Sequence, residues 1–337
     1  MPISPLVAVP IVAVPCAAAL SAGLIMLLRP LLQRYALARP NARSSHRVPT
    51  PQGGGIAVVV AALAVGLGLA GTAGIEALSL ATGTLALAVV GAVDDIRPLP
   101  VALRLPLQAA AVVLVLSGAG GQLIPELPLW LERGLAVLAG LWFVNLVNFM
   151  DGLDWMTVAE MVPVLGALLV FGLAGRLPEP ATLVAAALLG GLLGFAPFNR
   201  PVAKLFLGDV GSLPIGLLVA WLLYRLAGEG GLTAAILLPL YSLADATLTL
   251  GRRALAGEPV WQAHRSHYYQ RATTNGRSVP FVVGAVFGLN LALALLAAAT
   301  LAVPGWAMSL AALALGAGLV AGLLRLFSLP AVRTTAA

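Results

Sequence analysis

Apolar runs of roughly 17–25 residues, each long enough to cross the hydrocarbon core of a bilayer, follow one another along almost the whole chain. They break only at Gly, Pro or charged residues, and the polar pieces between them are short. Backbone N–H and C=O groups inside a bilayer have no water to bond, so such runs form helices that satisfy them internally. The 337 residues are 60% hydrophobic and 9% charged, with a mean hydropathy of +1.00, which excludes an ordinary soluble domain. The expected fold is one all-α polytopic integral membrane domain over residues 1–337, with no room for a separate soluble domain. Eleven transmembrane helices are expected near 5–29, 54–70, 76–93, 102–120, 131–149, 156–174, 181–197, 211–227, 233–250, 279–302 and 305–326. The first lacks a basic leader and a small-residue cleavage site, so it reads as a retained span.

Charge sets the expected orientation. With the N-terminus outside, sixteen Lys and Arg fall on one side, and only Arg133, Arg176 and Arg225 fall on the other. By the positive-inside tendency the rich side, and the C-terminus with it, is cytoplasmic. The net charge of +6 comes from arginines scattered through short loops, so no nucleic-acid partner is implied. Cys16 is the only cysteine, which leaves no disulfide or thiolate cluster within one chain.

The acids give an independent check. An acid at membrane depth costs roughly 2.5–3.5 kcal/mol. Five of the six aspartates nevertheless sit in three clusters, Asp94-Asp95, Asp151/Asp154 and Asp209. All three clusters fall on the arginine-rich side, in the cytoplasmic segments 30–53, 94–101, 148–155, 198–210 and 251–278. Glu76, Glu126, Glu132, Glu179 and Glu229 fall outside. Carboxylates gathered at one membrane face with a few Arg, Lys and His point to a site for a metal and a phosphate.

Each segment carries its own chemistry. Loop 43–55, RSSHRVPTPQGGG, is stiffened by Pro49 and Pro51, and free N–H groups at Gly53 to Gly55 would suit a phosphate. Asp94 and Asp95 are adjacent on a helix and so diverge. One is expected to face the site, as metal ligand or base, and the other a structural partner. The alternative for the pair is a solvated helix end bonded to Arg97 or Arg104. Asn145, Asn148, Asp151 and Asp154 recur every three residues, which on a helix makes one polar stripe for a hydroxylated ligand or a hydrated cation, or else a polar interhelical seam. Asp209 lies between Gly208 and Gly211, near the only lysine, Lys204, and Ser212 is a candidate helix cap. HRSHYYQR places His264 and His267 on one face if helical. Two histidines with His46 could take zinc, but the surrounding carboxylates favour a harder cation such as Mg²⁺. Asp245, inside the ninth run, reads equally as a buried hydrogen-bond acceptor or as a lining residue of the site.

Together SSHRVPTPQGGG, GAVDD, NLVNFMDGLD, FNRPVAKLFLGDVGS and HRSHYYQR closely resemble the polyprenyl-phosphate N-acetylhexosamine-1-phosphate transferases, the MraY/WecA family, in the family's order. The resemblance implies transfer of a sugar-1-phosphate from a UDP-N-acetylhexosamine to a polyprenyl phosphate, with release of UMP and a requirement for Mg²⁺ or Mn²⁺. It assigns catalysis to Asp94, Asp95, Asp209 and Lys204, and metal binding to Asp209 and Asp151. Substrate contacts go to Asn148, Asp151, Asp154, His264, Arg265, His267, His46 and Thr50. Members that take UDP-MurNAc-pentapeptide carry three consecutive histidines where this chain has His264-Arg265-Ser266-His267. That departure, the eleven spans and the cytoplasmic C-terminus favour the branch that initiates O-antigen or other surface polysaccharides at the bacterial inner membrane. Phospho-MurNAc-pentapeptide transfer is the alternative. A homodimer is compatible with the apolar faces. A secondary transporter would place acids near the midplane with a repeat in its halves, and neither is visible.

Overall fold

The computed structural model describes residues 5–38, 48–71, 74–262 and 264–331. His46 and the arginines at 39, 43 and 47 lie outside the described residues. The chain is a helical bundle: α1 (Pro5–Tyr35), α2 (Gly55–Ala70), α3 (Ile75–Ile96), α4 (Val101–Ala119), α5 (Leu129–Met150), α6 (Met156–Leu173) and α7 (Glu179–Phe195). It continues with α8 (Asp209–Leu226), α9 (Leu232–Leu237), α10 (Leu240–Leu255), α11 (Tyr268–Thr274), α12 (Val279–Ala302) and α13 (Trp306–Ser328). A two-residue ladder, Leu37–Ala38 against Thr50–Pro51, is a small addition to the expected all-helical fold.

Among the described residues, eight helical stretches are long and apolar enough to cross a membrane, one of them, Asp209–Leu237, running through α8 and α9 with Glu229 and Gly230 leaving helical geometry between the two. Gly55–Ala70 and Glu179–Phe195 are shorter apolar helices. The fold is therefore that of a multi-pass membrane protein. The expected ninth span is broken: α9 ends at Leu237, and Pro239 stands at the cap of α10. Proline has no N–H to continue the ladder and clashes with the preceding turn.

The interior is built on α7, nearly every residue of which is buried. Its small residues let neighbours approach closely, as in small-xxx-small membrane contacts. A Cβ on Gly190 would lie 2.2 Å from the Val14 carbonyl oxygen of α1, and one on Gly194 would lie 2.3 Å from that of Ala18. At one end of the bundle, two of the sparse-side arginines serve the open carbonyls of the α4 C-terminus. Arg133 donates to the carbonyls of Leu116, Gly120 and Gly121, and Arg225 donates to that of Ala119. Cations and donors at a helix C-terminus satisfy orphan carbonyls and complement the dipole. Glu132 caps the next turn by accepting from the N–H groups of Leu123 and Ile124.

Pro163 lies inside α6, so the Ala159 carbonyl has no i+4 donor. Asn290 of α12 donates its Nδ2 to that oxygen at 3.4 Å, and is itself 2% exposed. Asn290→Leu is expected to cost about 1 kcal/mol, since it strands a buried carbonyl. Adding Pro163→Ala restores an intrahelical donor and should recover most of that loss. Unfolding of the single and double variants in detergent checks this; additive losses would show that Asn290 serves some other partner.

Candidate active site

The N-terminus of α8 organises the site. Asp95, in the last turn of α3, accepts the Asp209 N–H on Oδ1 at 3.0 Å and the Val210 N–H on Oδ2 at 3.1 Å. A carboxylate here satisfies orphan donors and complements the positive end of the helix dipole. Its own carbonyl accepts from Gln52 Nε2 at 2.9 Å, which draws in the PQGGG loop. That loop pairs with the segment before α8: Phe206 N–H donates to the Pro51 carbonyl, Gly54 N–H to Phe206 and Gly55 N–H to Leu207. The expected use of the Gly54 and Gly55 amides on a phosphate is therefore corrected, because both are already bonded within the protein. Ser212 is not the cap of α8 either. Gly208 holds that position with φ +78, and a Cβ there would lie 2.6 Å from Asp95 Oδ2.

Asp94 diverges from Asp95 as adjacent helical residues must. Its Oδ2 pairs with Arg104 at 2.8 Å, its Oδ1 accepts the Leu99 N–H at 2.5 Å, and its carboxyl also meets that of Asp209. Asp209 in turn accepts from Asn148 Nδ2 at 2.7 Å, and the same amide reaches Ser212 Oγ at 2.9 Å. Asp94, Asp209 and Asn148, from three helices far apart in sequence, therefore form one cluster.

The four-member polar stripe does not survive intact, because α5 ends at Met150 and Asp151 leaves helical geometry at ψ 47. Asn145 turns away to Gln108 Oε1 of α4 at 2.8 Å, a polar interhelical seam. Asp151 accepts from the Thr157 hydroxyl. Burial, with the nearby charges of Asp95 and Asp154, pushes its carboxyl up to about 7. Asp154 accepts the Ala203 N–H at 2.9 Å, stitching its loop to the 199–208 loop. Trp155 completes that seam, donating its N–H to Asn199 Oδ1 and its Nε1–H to the Ala196 carbonyl. These bonds hold Trp155 at φ +64, a conformation that disfavours residues with a Cβ.

The HRSHYY segment is held by Asp245, which resolves the two readings left open for it. Asp245 is fully buried and takes contacts from Tyr241, Thr249, His267 Nδ1 and the N–H groups of Tyr268 and Tyr269. It is a hydrogen-bond acceptor that positions the loop. Helix α11 begins only at Tyr268, yet His264 and His267 stack with ring centroids 4.9 Å apart. His267 also stacks on Phe149, and Tyr269 OH donates to the Phe149 carbonyl at 2.9 Å. A Cβ on Gly152 would lie 2.1 Å from that Tyr269 oxygen, so the loop rides directly on the Asn148–Asp154 arm. Lys204 is exposed, and its ammonium makes no contact among the described residues; Arg265 is exposed as well. Thr50 is buried and donates its hydroxyl to the Val48 carbonyl.

Among the described residues, no three acids, histidines or cysteines converge into a group that could hold a metal ion by themselves. What converges is a pair of touching carboxylates, Asp94 and Asp209, with the Asn148 amide beside them. That suits Mg²⁺, which uses one or two carboxylates and completes its shell with waters and substrate phosphates. Asp151 is turned to Thr157, so the structure does not join it to Asp209 as a second ligand. Sequence reasoning passed over Gln52, Asn199, Tyr269 and Gly91. Only their placement inside or beside the motif segments hinted at a role.

Two outcomes test this geometry. A Cβ on Gly91 would lie 2.2 Å from the Asp209 carbonyl oxygen, whereas one on Gly134 meets nothing within 4 Å. Gly91→Ala is expected to lose about 2 kcal/mol of stability through overpacking, with Gly134→Ala near wild type in the same melting experiment. Burial first, then the neighbouring His267, Arg253 and Arg252, hold the His264 imidazole down at about 4. The unfolded chain takes up that proton near pH 6.5, so stability is lost as pH falls from about 6.5 to about 4. His264→Gln should lack that part of the slope in a Tm series across the window.

Comparison with known proteins places this arrangement. The sequence profile of glycosyl transferase family 4 matches residues 77–227, which contain the Asp94-Asp95 pair, the NFMDGLD arm and the GDVGS turn. A Bacillus subtilis protein described as a probable undecaprenyl-phosphate N-acetylglucosaminyl 1-phosphate transferase is 24% identical over 79% of this chain and 80% of its own length. The decaprenyl-phosphate N-acetylglucosaminephosphotransferase of Mycobacterium leprae is 28% identical over 72% of this chain and 71% of its own. The phospho-N-acetylmuramoyl-pentapeptide-transferase of Synechococcus sp. (strain WH7803) is 37% identical over 50% of this chain and 52% of its own. The acid clusters brought together at one end of the bundle thus lie in the part of the chain that is similar to glycosyl transferase family 4.

Proposed function

We propose that the protein transfers an N-acetylhexosamine-1-phosphate from a UDP-sugar to polyprenyl phosphate, releasing UMP, at the cytoplasmic face of the bacterial inner membrane. The observation that carries this reading is the approach of Asp94 to Asp209, completed by Asn148, at one end of a membrane bundle. Two neighbouring carboxylates, one of them paired with the guanidinium of Arg104, suit a divalent cation. A membrane setting suits a lipid acceptor that arrives laterally while a charged nucleotide-sugar arrives from water. Relatives named for N-acetylglucosamine-phosphate transfer to polyprenyl carriers support the same reaction class.

In this reading an oxygen of the lipid phosphate attacks the sugar-bearing phosphorus, the bond from that phosphorus to the bridging oxygen breaks, and UMP leaves carrying that oxygen. Such transfers chiefly need positioning and charge neutralisation. Mg²⁺ or Mn²⁺, when bound at Asp94 and Asp209, supplies charge neutralisation at the pyrophosphate. A phosphate monoester has a second pKa near ~6, so the acceptor is already largely dianionic at neutral pH and direct attack needs no strong base. Any remaining proton goes to Asp94. Asp95 acts by holding the α8 N-terminus. Asp151 and Asp154 position the nucleotide-sugar with Asn148, while Lys204, His264, Arg265 and His267 contact its phosphates and sugar. Initiation of a surface polysaccharide fits the single histidines of HRSHYY. Relatives named as pentapeptide transferases keep UDP-MurNAc-pentapeptide in the test panel.

Purified protein with Mg²⁺, undecaprenyl phosphate and a panel of UDP-sugars should yield a lipid-diphosphate-sugar from an N-acetylated donor, read by mass spectrometry. Asp209→Asn should lower turnover by about 10²-fold or more. No product and no UMP from any donor would sink the reading, and product from the pentapeptide donor alone would move it to peptidoglycan synthesis.

A further inference from the structure

Glu160 is an acid inside a membrane-spanning helix, one turn from the N-terminus of α6 and only 1% exposed. Its Oε1 accepts from the Ser242 hydroxyl of α10 at 2.9 Å. Its Oε2 is buried without a partner, and so is Asn290 Oδ1 on α12. Desolvating a carboxyl at this depth is costly, and a leucine would fill the seam without that cost. What the acid gains is a link between two particular helices.

Those helices carry the two halves of the site. On α6, Thr157 lies three residues before Glu160 on the same face and donates to Asp151. On α10, Ser242 lies three residues before Asp245, which holds His267, Tyr268 and Tyr269. The Glu160–Ser242 bond therefore joins the helix behind Asp151 to the helix behind His267. The two halves meet again at the site itself, where Tyr269 bonds the Phe149 carbonyl and His267 stacks on the Phe149 ring at 6.1 Å. A slip of α10 along α6 would carry Asp245 and the histidine stack with it.

We propose that Glu160 is a positioning residue of the transferase site, setting the register of α10 against α6 and so the placement of His267 beside the Asp151 arm. Its catalytic consequence rests on the transferase reading above; its structural consequence does not. Glutamine keeps an acceptor for Ser242, whereas leucine and Ser242→Ala remove the link.

The experiment combines steady-state kinetics with amide hydrogen exchange of residues 264–274 on the full-length protein in detergent. Glu160→Leu and Ser242→Ala are each expected to lower kcat by about tenfold, with KM for the UDP-sugar moving less, as misplacement of a reacting group does. The double variant should fall no further than Glu160→Leu alone. Glu160→Gln should keep kcat within about threefold of wild type. Exchange over 264–274 should rise in Glu160→Leu and Ser242→Ala and stay protected in Glu160→Gln. Wild-type exchange in Glu160→Leu would overturn the proposal, and so would Glu160→Gln losing as much activity as Glu160→Leu. If Glu160→Leu does not fold, Ser242→Ala, which removes one hydroxyl, decides the matter alone. If wild-type protein transfers no sugar, the transferase reading fails, while the exchange data still decide whether Glu160 holds the loop.

Discussion

Asp95 is the residue on which the site depends. A helix that starts at a membrane edge exposes N–H groups that neither lipid nor its own turns can satisfy. Asp95 takes two of them and thereby fixes where α8 begins. Asp209 is the first residue of α8, so its place is set by Asp95 rather than by its own contacts. The close approach is possible because Gly208 has no Cβ to collide with the Asp95 carboxylate. Gln52, bonded to the Asp95 carbonyl, extends the same junction to the loop before α2.

The two ends of the bundle treat charge in opposite ways. At the end holding Arg133, Arg225, Glu76 and Glu132, cations meet helix carbonyls and acids meet backbone N–H groups, indole or guanidinium. That end is electrostatically closed. At the end holding Asp94, Asp209, Asp151 and Asp154, carboxylates gather within reach of one another, and Asp94 pairs with Arg104. Like charges crowded in partial burial destabilise the ionised forms unless a cation or a polarised substrate answers them. Carboxylates crowded together at one end, against charges matched pairwise at the other, mark the first as a place for chemistry.

Much of this was legible in the chain. The helices fall where the apolar runs predicted them, because a hydrocarbon core dictates both length and composition. The exception, the break before α10, followed from Pro239, a residue visible in the sequence but not weighed there. The motif acids cluster as expected. Their individual partners were not readable: Asn145, Asn148, Asp151 and Asp154 share a three-residue spacing, yet within α5 Asn145 meets Gln108 and Asn148 meets Asp209, and beyond its end at Met150 Asp151 meets Thr157 and Asp154 the Ala203 N–H. Spacing predicts a stripe only while the helix lasts.

By itself the sequence determined the class of fold, the segregation of aspartates to one end and the segments that meet there. Those properties follow from local hydropathy and from the cost of charge in lipid, which each segment carries alone. Only the tertiary structure decided which acid holds a helix end and which faces its neighbour, that Asp245 serves the histidine loop, and that Glu160 spans two helices. Those roles depend on which backbone N–H, hydroxyl or amide comes within about 3 Å, a distance set by packing between residues up to about a hundred positions apart.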